Sequence, residues 1–143
     1  MMNNTRHSHT NYKMVIPYIE SAEKNNGCIR CTASGFMDLC IEKLWFNDCF
    51  GNPVYSIAHY GHQNGDSMRD PDIEFSVDRK SEKIIPLSFR NDYMNVYQEV
   101  VKEINGKNMY SPSLLRDLDE FFWQWMKNIG DQGFSPEIYD IVD

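Results

Sequence analysis

The middle of the chain is a succession of short segments in which apolar and polar residues alternate, separated by turn-forming residues. The pattern recurs over residues 28–33, 36–46, 54–62, 73–77, 84–89 and 93–101. A period of two is typical of β-strands with one buried face. Runs this short and this closely connected favour an antiparallel meander of about five to six strands over parallel β-α-β units.

Helical spacing of apolar residues appears on both sides of these strands. Ser111-Pro112 has the residue types of a helix N-cap and first position, and Gly130 is a suitable end. Between them, large apolar residues recur at helical intervals: Leu114, Leu118, Phe121, Phe122, Trp125 and Ile129. We therefore predict a C-terminal amphipathic helix that covers one face of the sheet. Trp123 lies off this stripe and is the better candidate for an exposed contact.

A short N-terminal helix is predicted over residues 15–24, with Pro17 in its first turn and Gly27 as its stop. Residues 1–10 are polar and predicted to be flexible. Residues 11–143 then form a single α+β domain, which suits a chain of 143 residues. Residues 135–143 are expected to add one more helical turn.

The charge of the chain restricts its partners. Fourteen Lys+Arg against 21 Asp+Glu give a net charge of −7, so direct binding of nucleic acid is not expected. The acidity is concentrated in residues 34–78 and 109–143, which form either an electrostatic surface for a basic partner or solvated faces. No apolar run is long enough to cross a membrane, and no secretory signal is recognisable, so a cytoplasmic protein without membrane contact is expected.

The densest polar region runs from Gln63 to Glu74. Its four carboxylates could gather a hard cation such as Mg²⁺ or Ca²⁺. Alternatively, Asn64-Gly65 forms a turn, Asp66 and Asp70 bond to local backbone amides, and Arg69 pairs with an acid. The predicted binding residues are His59, Gln63, Asn64, Asp66, Arg69, Asp70, Asp72 and Glu74.

The cysteines and histidines give weaker signals. Cys28 and Cys31 have the spacing of a zinc or redox pair, but on a strand their side chains point to opposite faces. Cys40 and Cys49 do not form a second such pair, so free thiols are expected. His59 and His62 also face opposite sides of a regular strand. No cofactor is expected, because the chain has no P-loop, G-x-G-x-x-G or H-E-x-x-H motif.

Several blocks of the chain resemble an uncharacterised bacterial family, a domain of unknown function carried by mobile elements. The most specific block is Gln63-Asn64-Gly65-Asp66 with Met68, Asp70-Pro71-Asp72 and Phe75. Weaker blocks lie at residues 35–39, 58–60, 90–92, 97–99 and 132–134. The resemblance covers residues 14–134 and implies the context of a mobile element in a bacterial cytoplasm. It implies no activity.

Three functions remain open on these grounds. The first is a non-catalytic interaction protein, such as an acidic inhibitor of a nucleic-acid-processing defence enzyme of the anti-CRISPR or anti-restriction type, which binds a basic protein surface. The second is a divalent-metal-dependent hydrolase that uses His59, Asp66, Asp70 and Asp72. The third is an accessory regulatory domain without a small-molecule ligand. An enzyme is the less favoured class.

Overall fold

The computed structural model describes residues 5–142, which form two helices and nine strands. Helix α1 spans Ser8–Glu23 and helix α2 spans Pro112–Asp131. The strands are β1 (Cys28–Cys31), β2 (Asp38–Asn47), β3 (Pro53–Gln63), β4 (Asp66–Asp78), β5 (Lys83–Asn91), β6 (Val96–Glu99), β7 (Val101–Ile104), β8 (Lys107–Tyr110) and β9 (Tyr139–Ile141). Neither helix in this part of the chain is long and apolar enough to cross a membrane.

Seven of the strands form one antiparallel sheet in the order β6-β5-β4-β3-β2-β1-β9. Strands β1 to β6 follow one another as a meander, and β9 adds to the free edge of β1. Strands β7 and β8 pair only with each other in a separate two-stranded ribbon. The α+β prediction with an antiparallel meander and two helices is therefore confirmed.

Both helices cover the same face of the sheet, which we call the helix-covered face. The register places Ile41, Ile57 and Ile73 side by side on three neighbouring strands, and all three are fully buried. From α2, the fully buried Phe122 packs edge-on against Phe75, with ring centroids 5.2 Å apart. Each large apolar side chain buried here contributes about 1.5–3 kcal/mol. The opposite, helix-free face is covered by neither α1 nor α2.

Helix α2 begins as the sequence predicts. The Ser111 hydroxyl accepts a hydrogen bond from the Leu114 backbone N–H at 3.3 Å, and Pro112 is the first helical residue. The buried stripe differs from the predicted one in two positions, because Leu115 and Met126 are buried in place of Leu114 and Phe121. It consists of Leu115, Leu118, Phe122, Trp125, Met126 and Ile129. Phe121 lies at its border, 39% exposed, with its ring against Phe89.

The predicted start of helix α1 is wrong. The helix begins at Ser8 and continues through Pro17, which removes one internal hydrogen bond without ending it. Its cap comes from α2, because the buried Asp119 carboxylate accepts hydrogen bonds from the His7 backbone N–H at 2.9 Å and the Thr5 hydroxyl at 2.6 Å. Thr5 and His7, in the segment predicted to be flexible, thus contact α2, and residues 1–4 lie outside the described residues.

Four other local predictions are wrong. Residues 66–72, expected as a polar turn region, belong to β4, and residues 93–101, expected as one strand, are divided between a turn, β6 and β7. Residues 139–141 form β9 instead of a helical turn, while Asp143 lies outside the described residues. The alternation over residues 36–46 predicts Trp45 on the same face as Leu39 and Ile41, which are buried, but Trp45 is 78% exposed because β2 has a bulge between Leu44 and Asn47.

Trp123 is not a free surface residue. Its ring stacks on the His7 imidazole, with centroids 4.4 Å apart. The Lys127 ammonium forms a cation–π contact with the same ring, 4.3 Å from its centroid. The His7 Nε2 atom is 2.6 Å from the Glu120 carboxylate. These contacts attach the start of α1 to α2, which gives Trp123 a structural role.

Candidate functional site on the helix-free face

The polar region predicted as the site lies on a long hairpin formed by β3 and β4. Asn64 and Gly65 form its turn with φ values of +52° and +84°, as expected for the two central residues of a type I′ turn. Gln63 and Asp66 form the first cross-strand pair after the turn. All four residues are exposed at the hairpin tip.

The hairpin does not bring the predicted metal-binding residues together. Asp66 and Asp72 are six positions apart on one strand, which is about 20 Å at about 3.3 Å per residue. Asp70 accepts a hydrogen bond from the Asn91 amide at 2.7 Å. Within residues 5–142, no group of three or more His, Cys, Asp or Glu side chains is arranged to hold a metal ion.

His59 lies on the other side of the sheet from Asp72. It pairs with Leu39 on the helix-covered face, and its ring is 5.6 Å from that of Trp125 and 5.5 Å from that of Phe134. Burial lowers the pKa of His59 from 6.5, partly offset by hydrogen bonds from its ring to backbone. The neutral imidazole at pH 7 is therefore a packed core residue, and the metal-hydrolase cluster does not assemble.

The helix-free face carries a row of acidic residues that crosses five strands. Cross-strand pairs of an antiparallel sheet point to the same side. The row is made of Glu42, Ser56, Glu74, Ser88 and Glu99, on β2 to β6 in register. Because neighbouring strands are about 4.8 Å apart, its three carboxylates repeat at about 10 Å. The serines between them are buried, which leaves the glutamates as the projecting groups.

The adjacent row contains Asp72, the most perturbed carboxyl of the face. It runs through Cys40, Ala58, Asp72, Arg90 and Tyr97. Burial, with a further contribution from the Glu74 charge, raises the pKa of Asp72 to about 6. Its Oδ1 atom is buried and has no hydrogen-bond partner among the described residues. Asp72 is therefore partly protonated just below neutral pH.

The two arginines nearest Asp72 are each held by another group. The Arg69 guanidinium forms a fork with Asp92, through Nε at 2.9 Å and the second nitrogen at 3.4 Å. The Arg90 guanidinium stacks over the Tyr97 ring, 4.2 Å from its centroid. The charges of both arginines lower the pKa of Asp72, but by less than burial raises it. The acid therefore keeps acceptor capacity for an incoming donor.

A third row consists of Asp38, Tyr60 and Arg69. Burial, and then the Asp72 charge, raises the pKa of Tyr60 to about 12, so this hydroxyl stays neutral at physiological pH. It adds a hydrogen-bonding group at the centre of the face.

The helix-free face holds much of the net charge of the chain. Its carboxylates are Asp38, Glu42, Asp72, Glu74, Asp78, Asp92, Glu99 and Asp140, and its cations are Arg30, Arg69, Lys83 and Arg90. Eight acids against four cations leave −4, out of −7 for the chain. A concave feature beside Arg90 and Tyr97 measures about 90 Å³, well below the roughly 300 Å³ of a small-molecule pocket.

The cysteines do not add reactive groups to this face. Cys28 and Cys40 lie on it and Cys31 lies on the helix-covered face, as predicted from the alternation. All four cysteines are free. Burial raises the pKa of Cys28, and raises those of Cys40 and Cys31 to about 11 and 12. These three are protonated thiols at neutral pH and are poor nucleophiles or metal ligands.

Of the predicted binding residues, Arg69, Asp72 and Glu74 share the helix-free face. The same face also carries four residues that were not predicted from the sequence as binding residues: Glu42, Tyr60, Arg90 and Glu99. The missing signal was strand register, which places Glu42 and Glu99 in the row of Glu74. A turn at Asn64-Gly65 fixes that register only up to the bulge at residues 70–71.

Comparison with known proteins places the chain in a family without adding an activity. One family model, described as a domain of unknown function (DUF6908), matches residues 10–135. No curated protein matches the chain, and no solved structure does. Since the matched residues make up most of the sequence, the protein belongs to the DUF6908 family.

Proposed function

We propose that this domain is a non-catalytic interaction protein whose helix-free face binds a basic surface on a partner protein. The supporting observation is the acidic row of Glu42, Glu74 and Glu99, which crosses the sheet on the face that neither helix covers. A face of net charge −4 steers a basic partner and fixes its orientation, since electrostatic complementarity governs encounter and register.

The shape of the face favours a macromolecular partner over a small ligand. A sheet surface with projecting carboxylates suits a broad protein interface of about 800 Å² per partner.

The partner class we propose is a nucleic-acid-processing enzyme, and the protein would act as its inhibitor. Nucleic-acid-binding clefts are basic surfaces that phosphates normally occupy, and an acidic sheet face competes for the same groups. The setting that fits this activity is a bacterial cytoplasm, with the gene carried by a mobile element. Anti-CRISPR and anti-restriction proteins are examples of such inhibitors.

The experiment compares two double charge reversals of equal size. In the face variant Glu74→Lys/Glu99→Lys the acidic row is reversed. In the control variant Asp117→Lys/Asp131→Lys two exposed acids of α2 are reversed instead. Purified restriction endonucleases and RNA-guided nucleases are the probes, and the readout is inhibition of their DNA binding by wild-type protein and by each variant.

The expected result is inhibition of at least one nuclease by wild type and by the control, with loss of inhibition in the face variant. Inhibition should also weaken as salt rises from about 0.1 M to about 1 M, where the screening length falls from about 10 Å to about 3 Å. Equal inhibition by the face variant and the control, or inhibition that molar salt leaves unchanged, would refute the proposal.

A further inference from the structure

Strands β7 and β8 form an arm that leaves the body of the domain. They are joined by Asn105-Gly106, with φ values of +53° and +78°, and they pair only with each other. The base of the arm is attached through Val100, whose N–H donates to the Leu87 carbonyl at 2.7 Å. Val101 and Tyr110 pack at this base near helix α2, and the outer residues of the arm are exposed.

One side of the arm combines cationic and apolar groups. The register pairs Lys102 with Met109 and Ile104 with Lys107, so these four side chains share one side. Ile104 and Met109 are each 52% exposed. Neither lysine has a carboxylate within ion-pair distance among the described residues. Glu103 belongs to the other side of the arm.

The charge of this side favours an acidic binding partner. Nucleic acid is disfavoured because the chain as a whole carries −7 and is repelled by phosphate backbones. A second copy of the chain offers the matching surface, since its helix-free face carries −4. The two lysines are diagonal neighbours, about 7–8 Å apart, and the glutamates of the acidic row repeat at about 10 Å. Flexible lysine side chains span that difference.

We propose that the arm of one copy docks on the helix-free face of a second copy. The contact joins two different surfaces, so it is either exchanged reciprocally between two copies or continued to further copies or a ring. The arm would occupy the face to which we assign the basic partner, a consequence that rests on the proposed function. Self-association would then compete with partner binding and keep the free protein inactive.

The test uses two variants of the full chain in analytical ultracentrifugation at about 0.05 M salt, where charges are weakly screened. The arm variant Lys102→Glu/Lys107→Glu keeps the acidic face. The face variant Glu74→Lys/Glu99→Lys keeps the arm. Wild type should show a weight-average mass that rises above 16.8 kDa with concentration, while each variant alone stays at 16.8 kDa.

Mixing the two variants gives the decisive measurement. The face variant supplies an intact arm for the intact face of the arm variant, and the two reversed surfaces are also complementary in charge, so the mixture should regain a weight-average mass above 16.8 kDa. If the arm charge variant fails to fold by circular dichroism, Ile104→Ser/Met109→Ser replaces it and should likewise abolish self-association.

Several outcomes would overturn the inference. The inference is wrong if wild type remains a monomer up to about 1 mM, a concentration at which even weak association is detected. An arm variant that associates as wild type does would also exclude the arm. Binding of a DNA duplex by wild type, lost in the arm variant, would assign the arm to nucleic acid. Self-association of wild type with no inhibition of any nuclease by the arm variant, whose face is free, would refute the proposed function while the inference stands.

Discussion

Replacing Asp72 by asparagine should stabilise the protein at neutral pH. Its carboxyl has a folded-state pKa of about 6 against an ordinary 3.8, so the folded state favours the protonated form. The cost of ionising it in the fold is absent below about pH 4 and grows as the pH rises through 6. At about 1.4 kcal/mol per pKa unit this is about 3 kcal/mol, and solvent on the exposed part of the side chain reduces it to about 1–3 kcal/mol.

The assay is urea unfolding of wild type and Asp72→Asn at several pH values between about 4 and 8. The difference between the two free energies of unfolding isolates Asp72, because the other carboxyl groups titrate in both proteins. The asparagine variant should gain about 1–3 kcal/mol relative to wild type between pH 4 and pH 8. The exposed substitution Asp117→Asn serves as the control and should show no such change. A pH-independent difference for Asp72→Asn would refute the pKa assignment.

Three further substitutions or reagents test the packing. Phe122→Ala removes a fully buried ring that contacts Phe75 and should cost about 3–5 kcal/mol in urea unfolding; a loss under about 1 kcal/mol would contradict this packing. Asp119→Ala removes the cap of α1 and should cost about 1–3 kcal/mol with the same method, and unchanged stability would show that the cap is unimportant. A thiol reagent should modify Cys49 first in the folded protein, because it is the exposed cysteine; faster reaction at Cys31 would contradict the burial of its thiol.

The parts of the fold that local chemistry determines could be predicted from the sequence. The dipeptide Ser111-Pro112 is enough to predict the start of α2, and Asn64-Gly65 is enough to predict the hairpin turn. Asn105-Gly106 is the same dipeptide and forms the same kind of turn, but it lies between short polar segments. The arm was not predicted because its two strands contain too few apolar residues to show an alternating pattern, although the turn dipeptide was present.

The parts that depend on distant residues could not be predicted. The start of α1 is set by Asp119, more than a hundred residues away, and no residue near Ser8 signals it. Strand β9 exists because β1 offers a free edge to Tyr139, Asp140 and Ile141, whose own sequence is too short to show a pattern. In each case the deciding contact is made only after the chain has folded.

The acidic character of the helix-free face depends on one extra residue in β4. Up to the pair Tyr60–Arg69 the ladder is regular, and continued without change it would place Asp72 opposite Ile57, in the core. A carboxylate there would cost several kcal/mol. The bulge at residues 70–71 instead pairs Asp72 with Ala58, on the helix-free face. Pro71 has no N–H to donate and is tolerated inside a sheet only at edges or bulges. Its position in a central strand was therefore the sequence signal that the register shifts before Asp72.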